Sequence, residues 1–345
     1  MLRNQEVDWV EEEDQLKNMV NDFYKDLFRE DNNAMVWRDT DVSFAIITEE
    51  EKDQLKAILS NNEVKEALFS MSAWKAPGPD GFPVGFYQKD WNVIAESVCE
   101  FARTMWAYPE KIEDVNFTDI CLIPKVNKPE FVNQFHPISL CNVSYKILTK
   151  VVVNRLKPII SKVVSPFQTG FVPGRNISEN IIIAQEMLHS MAKMRSRIGF
   201  FAIKVDLTKA YDRLRWPFIE KVLIEVGIPN EMHQFIMSCI RSVKTNVLWN
   251  GSMSSYFNPE CGIRQGDPMS PYIFVLCMDK LSHLITEEID TRHWTPMRAG
   301  RNSPHISHLM FADDLLLFGQ ATEATMASVT RALENFCTMS GQRVN

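Results

Sequence analysis

Residues 308–319, HLMFADDLLLFG, set two adjacent carboxylates, Asp313 and Asp314, between two apolar runs. Like charges side by side repel by roughly 4 kcal/mol at 4 Å in a partly screened protein medium. Burying either one unpaired costs more. A strand pattern broken by such a pair reads as a hairpin with the aspartates at or beside its turn. There they face solvent or a cation. Upstream, GFFAIKVDL (199–207) is a short run rich in aromatic and β-branched residues that ends at Asp206, and TKAYDRLRWP breaks out of it into a helix. If the two strands adjoin, Asp206, Asp313 and Asp314 converge at one end of a sheet, an arrangement that is unstable without counter-charge. Oxygen-only ligands select hard cations such as Mg²⁺, and Mn²⁺ accepts the same set. Two such ions roughly 3.5–4 Å apart activate an attacking hydroxyl and hold the leaving phosphate of an in-line displacement. The carbonyl of Leu207 is a further candidate ligand. The bland alternative is that Asp206 and Asp313 are unrelated surface residues, since two adjacent aspartates alone are a weak signal.

At 345 residues the chain exceeds one compact core and suits two or three domains. Hydrophobic residues at 45% and charged ones at 23% describe a soluble globular protein. The amino terminus, MLRNQEVDWVEEED, lacks the apolar core of a signal peptide, and no later run is long enough to span a membrane. Seven cysteines, scattered without a C-x-x-C pair, point to reduced thiols inside a cell and away from a zinc knuckle. The two histidines of HISH, His305 and His308, have no acidic or thiol neighbour in sequence, which favours local hydrogen bonding over metal ligation.

A net charge of −7 first argues against nucleic acid, but its distribution reverses that. Residues 1–66 carry 18 acidic and 8 basic side chains, net −10, and the other 279 carry 26 and 29, net +3. From Phe131 to Ser178 there is no acidic residue, while Lys146, Lys150, Arg155, Lys157, Lys162 and Arg175 are present. Such a stretch is the electrostatic footprint a phosphate backbone requires, though a solvated helix face reads the same way.

The periodicity predicts an amphipathic helix over 11–29 and another opened by the capping box TEEE from Thr48. WKAPGPDGFPVGFY, Trp74 to Tyr87, is too rich in Pro and Gly for regular structure and reads as an ordered loop. DICLIPK reads as a strand ending at Lys125. Helices follow over Asn142–Val164 and Ser178–Met194, separated by the loop SPFQTGFVPGRN. TNVLWNGSMSSYF carries an Asn-Gly hairpin signal, and CGIRQGDPMSP feeds a long apolar helix over Pro271–Ile289. Helices and strands mix without regular βαβ alternation, so the expected class is α+β.

In this order, WKAPGPDGF, LIPK, PISLCNVSYKILTKVVVNRLKP, QTGFVPGRNISENI, KVDLTKAYDRLRW, GIRQGDPMSP and FADD resemble the motifs of reverse transcriptases from plant non-LTR (LINE-type) retrotransposons. The likeness covers nearly all of the chain after about residue 65. It implies a right-hand polymerase fold: an acidic helical segment over 1–66, fingers over 67–198, and a palm over 199–345 that stops before its last motif and the thumb. By this resemblance Asp206, Asp313 and Asp314 are the catalytic, metal-binding carboxylates of an RNA-directed DNA polymerase. Tyr211 matches an aromatic gate that clashes with a 2′-hydroxyl. Gln265 and Gly266 match the loop against the incoming nucleotide, with an ordinary turn as the bland reading.

Lys125 and Lys146 are candidates for phosphate contacts, or plain surface lysines. Gln168 and Arg175 match a template-touching motif, with loop order or helix capping as the alternative. The implied partners are an RNA template, a DNA primer and deoxynucleoside triphosphates. Two Mg²⁺ (or Mn²⁺) ions are the implied cofactors, and an intracellular, soluble, nuclear location goes with them. Protein partners and oligomeric state stay unassigned. His136 stands where the family usually has arginine, and neutral imidazole cannot reproduce a charged five-donor fork. The rival readings are a catalytically inactive relic and a maturase-like RNA-binding protein, the latter requiring a basic extension after the palm.

Overall fold

The computed structural model describes residues 1–345 apart from 5, 31–33, 196 and 301. In chain order the strands are β1 (Leu2–Arg3), β2 (Trp9–Val10), β3 (Phe117–Pro124), β4 (Phe135–Cys141), β5 (Phe200–Val205), β6 (Lys244–Trp249), β7 (Ser252–Met253), β8 (His308–Phe311) and β9 (Asp314–Gln320). They and the helices fall into two compact units of interleaved segments. The first comprises Met1–Glu30, Asp53–Arg155 and Pro229–Ser270; the second comprises Asp31–Lys52, Leu156–Ile228 and Pro271–Asn345. The linear division at residues 66/67 and 198/199 does not coincide with these units. The class is α+β, as the mixed pattern of elements predicts.

In the first unit a four-stranded sheet runs β4-β3-β6-β7. β3 pairs antiparallel with β4, from Thr118 opposite Cys141 to Pro124 opposite Phe135, and parallel with β6. Ile120, Val132, Phe135, Val247 and Phe257 form a core with Leu16, Val20 and Tyr24, the buried stripe of the helix Glu13–Leu27. That stripe follows the predicted 3.6-residue period, with Met19, Phe23 and Leu27 partly buried beside it. β3 ends at Pro124, one residue before the predicted end, although the Lys125 amide still donates to the Gln134 carbonyl at 2.8 Å. The β6–β7 hairpin closes on Asn250 and Gly251, both at positive φ (49° and 80°), as a two-residue Asn-Gly turn requires. The Pro/Gly-rich stretch is irregular only as far as Pro83, which caps a short helix, Val84–Lys89. Proline at that boundary gives up no helical hydrogen bond.

In the second unit a three-stranded antiparallel sheet has the order β5-β9-β8. β5 and β9 pair from Phe200 opposite Gln320 to Val205 opposite Leu315. β8 and β9 form a hairpin from His308 opposite Leu317 to Phe311 opposite Asp314. Met187 of the helix Ile177–Lys193 packs with Leu309 and Phe318, partly flanked by Phe200, Ala202 and Leu316, so this helix covers one end of one sheet face. The helices Trp216–Val226, Ser270–Asp290 and Glu323–Ser340 bury Phe218, Phe274 and Phe336 completely. The Thr48 capping box is present: the Glu51 amide donates to Thr48 Oγ1 at 3.2 Å and the Thr48 amide to Glu51 Oε2 at 2.7 Å.

Candidate active site

The two strands expected to adjoin do so. The last β5 residue, Val205, lies opposite Leu315, so Asp206 is the first residue past one strand and Asp314 the first residue of its neighbour. Asp313 sits in the two-residue turn Ala312–Asp313 that joins β8 to β9. The three carboxylates thus share one sheet end.

Their charges reach one another. The Asp313 carboxyl is pushed above its ordinary value, chiefly by burial, with the charges of Asp314 and Asp206 adding to it and Lys204 opposing. Asp314 pairs with Lys204 Nζ at 3.2 Å, and both side chains are more than half exposed, so this ion pair contributes little to stability. Beyond Asp206 the backbone runs beside residues 343–345: the Thr208 amide donates to the Arg343 carbonyl and the Asn345 amide to the Asp206 carbonyl. That pairing does not use the carbonyl of Leu207.

Among the described residues no three His, Cys, Asp or Glu side chains already cluster as a metal cage. Such a cage is not required. Mg²⁺ is held by one or two carboxylates with substrate phosphates completing its shell. An exposed Asp313 whose charge is opposed by two neighbouring carboxylates fits a cation.

Tyr211 lies in the one-turn helix Ala210–Arg213 that follows β5. Its ring stacks on Phe274, centroids 4.3 Å apart and planes 11° from parallel. The phenol is pushed far above its ordinary value by burial and then by the Asp313 charge. The ring is therefore fixed in orientation and lies within electrostatic reach of the Asp313 carboxylate.

Gln168 and Arg175 are both engaged by hydrogen bonds within the protein. Gln168 is fully buried, and its amide is committed to Gly170 and Ala312. Arg175 donates to the carbonyls of Ser161, Val164, Ser165 and Gln168, closing the carboxyl end of the helix Val143–Val163. A guanidinium there satisfies terminal carbonyls that have no intrahelical partner. The motif QTGFVPGR orders a loop in this structure.

In the first unit, the Ser139 amide of β4 donates to the Gln265 carbonyl at 2.7 Å. Gly266 has φ +118°, and a Cβ there would lie 2.7 Å from the Ser139 carbonyl oxygen. The loop therefore needs glycine on two counts, a backbone conformation and a close approach. Gly266→Ala is expected to cost about 1–3 kcal/mol of stability, read as a lower denaturant midpoint at unchanged slope; an unmoved midpoint would show that the loop shifts freely off β4. Lys125 is exposed immediately past β3. Lys146 is buried, and its charge opposes the upward push that burial gives the Asp80 carboxyl of the Pro/Gly-rich loop. His136 is exposed on β4 opposite Ile123.

Sequence reasoning missed the side chains that hold this loop. Arg264, immediately before Gln265, donates to Asn116 Oδ1, Thr118 Oγ1, Tyr145 Oη and the Cys239 carbonyl. Asp267, just after Gly266, accepts from Tyr145 Oη at 3.0 Å and lies 3.6 Å from Arg264. An opposite-charge pair at i,i+3 flanking QG was the available signal.

Residues 123–345 match the family described as reverse transcriptase (RNA-dependent DNA polymerase), and the chain belongs to that family. Its relatives narrow the kind. It is 23% identical over 349 residues to an uncharacterised 149 kDa protein of transposon TX1 from Xenopus laevis, covering 97% of this chain and 25% of that protein. It is 27% identical over 273 residues to a retrovirus-related Pol polyprotein from the type-1 retrotransposable element R2 of Nasonia vitripennis, covering 79% of this chain and 25% of the relative. The R2DM polyprotein of Drosophila melanogaster is 25% identical over 302 residues, covering 85% and 26%.

This is a reverse transcriptase domain of the non-LTR retrotransposon type. The chain spans about a quarter of the length of these curated relatives. Membership implies a polymerase fold of palm and fingers and a family that uses divalent metal ions. Among the described residues no helix is long and apolar enough to cross a membrane.

Proposed function

We propose that the chain catalyses RNA-directed DNA synthesis, joining a primer 3′-hydroxyl to the α-phosphate of a deoxynucleoside triphosphate on an RNA template. The observation that carries this reading is the β5–β9 pairing, which sets Asp206 at the sheet end that bears the Asp313 turn. Asp206 and Asp313 would hold two Mg²⁺ ions, with Mn²⁺ fitting the same oxygen ligands, and the Leu207 carbonyl and Asp314 stand beside them. When bound, these ions supply an activated hydroxyl nucleophile and charge neutralisation on the leaving pyrophosphate. The carboxylates fix the reacting groups in line, and Lys204 balances the remaining charge on Asp314.

In this reading the β5-β9-β8 sheet is the palm, within 199–345, and the motifs over 67–198 carry the fingers. Gln265, Gly266, Lys125 and Lys146 are assigned to the nucleotide by resemblance. A nuclear site of action belongs to the same reading. The Tyr211 ring, stiffened by Phe274, acts as the gate against a 2′-hydroxyl. Tyr211→Val is expected to lower discrimination against ribonucleotides by about 10–200-fold, the range for a changed steric contact, measured as the ratio of kcat/KM for the paired deoxy and ribo substrates. An unchanged ratio would remove Tyr211 from that role.

Primer extension on an RNA template with deoxynucleotides and Mg²⁺, beside Asp313→Asn, tests the function. Extension by the unmodified chain that the variant loses supports it. Equal extension by both refutes the carboxylate assignment. No extension even by the full-length element protein would favour a relic that binds nucleic acid without chemistry.

A further inference from the structure

We propose that Gln168 is a positioning residue that fixes the direction of the Asp313 carboxylate by clamping the turn that carries it. The inference rests on the reading of Asp313 as a metal-binding carboxylate.

The segment 167–170 lies along β8. The Met310 amide donates to the Phe167 carbonyl at 2.8 Å, and the Thr169 amide donates to the Met310 carbonyl at 3.0 Å. Asn180 Nδ2 reinforces this splint, donating to the Met310 carbonyl and to Thr169 Oγ1, each at 2.9 Å. Gln168 then reaches past the end of the strand. Its Oε1 accepts from the Ala312 amide at 2.9 Å and from the Gly170 amide at 2.8 Å, while its Nε2 donates to the Ala312 carbonyl at 3.2 Å. One side chain thus engages both backbone polar groups of the first turn residue. The orientation of the amide is dictated by its partners, because two N–H groups face one terminal atom and a carbonyl faces the other.

The turn needs such a clamp. Ala312 has φ +53°, a left-handed conformation that is strained for an alanine. Two-residue hairpin turns ordinarily place Gly, Asn or Asp there, and alanine has no polar group with which to hold itself. Gly170 allows the approach, since a Cβ on it would lie 2.4 Å from the Ala312 nitrogen. Strained backbone persists where its surroundings over-determine it. Here the over-determining group is one fully buried glutamine, and the residue that follows Ala312 is Asp313. Partners that orient a metal ligand without touching the metal govern affinity through geometry.

The test is Gln168→Met in the whole 345-residue chain, a near-isosteric change that removes all three hydrogen bonds. Mn²⁺ affinity by electron paramagnetic resonance titration, normalised to the folded fraction, is expected to fall about 10–100-fold. The kcat for incorporation should fall while KM for the nucleotide holds. A purely structural role would lower the thermal midpoint and leave the normalised affinity unchanged, which overturns the proposal. Asp313→Asn, titrated in parallel, separates the two readings. If it loses the Mn²⁺ site and Gln168→Met does not, the clamp fails and the carboxylate reading stands; if it keeps the site, both fail. Should Gln168→Met not fold, hydrogen exchange of the unmodified chain decides. The Ala312 amide is expected to exchange at least about 100-fold slower than an unstructured amide, and exchange at the unstructured rate would overturn the clamp.

Discussion

Asp313→Asn is expected to lower single-turnover nucleotide incorporation by at least about three orders of magnitude while leaving the domain folded. The two sides of this expectation have separate physical origins. A metal ligand at a phosphoryl centre is worth several kcal/mol of transition-state charge stabilisation. At 1.36 kcal/mol per tenfold, about 4 kcal/mol corresponds to a thousandfold in rate.

Stability should move the other way or not at all. The Asp313 carboxyl is raised by burial and by the like charges of Asp314 and Asp206, so its ionised form is disfavoured where it stands. An amide of the same shape removes that repulsion. Activity lost with an equal or higher thermal midpoint separates a site residue from a core residue, for which both quantities fall together. Asp314→Asn should be milder, because that carboxylate is largely exposed and already faces Lys204. Incorporation by Asp313→Asn within tenfold of the unmodified chain would remove Asp313 from the metal site.

The parts of this site that are local in sequence are the parts legible there. Two aspartates between apolar runs mark a turn because no buried strand tolerates them, and the turn lies at Ala312–Asp313. Asn250-Gly251 marks a hairpin because its positive φ values suit few other pairs. The helical stripe through Leu16 and Val20 follows from periodicity, whereas Tyr24, fully buried beside them, lies outside the predicted stripe. Other features depend on partners distant in the chain. That the Gln168 amide lies against Ala312, 144 residues away, cannot be seen in its own motif. Nor can the four carbonyls that accept from Arg175. The interleaving of the units arises from the parallel pairing of β3 with β6, whose partner is set by neither strand's own pattern.

Arg264→Met is expected to destabilise the first unit by about 3–5 kcal/mol, the cost of removing one partner from a buried ion pair. The Arg264 side chain is 11% exposed, and its guanidinium lies over the Tyr145 ring, its carbon 4.2 Å from the centroid. It satisfies Asn116 and Thr118, both at the start of β3, and the Cys239 carbonyl of the helix Asn230–Arg241. Methionine fills much of the volume but leaves Asp267, 2% exposed, with no cation at hand among these contacts. The penalty therefore comes from an uncompensated carboxylate more than from lost packing. That origin can be isolated. Adding Asp267→Asn to Arg264→Met should recover part of the loss, since the stranded charge is gone, whereas two independent defects would add. Arg264→Lys should fall between, keeping a charge but not the planar fork that reaches several acceptors at once. Urea midpoints for the two singles and the double measure the coupling, and a loss below about 1 kcal/mol for Arg264→Met, as at an exposed pair, would show the network to be dispensable. Because Arg264 and Asp267 bracket Gln265 and Gly266, the same substitution should loosen the loop that Ser139 holds by one backbone hydrogen bond. Hydrogen exchange at the Ser139 amide should accelerate with the fall in stability.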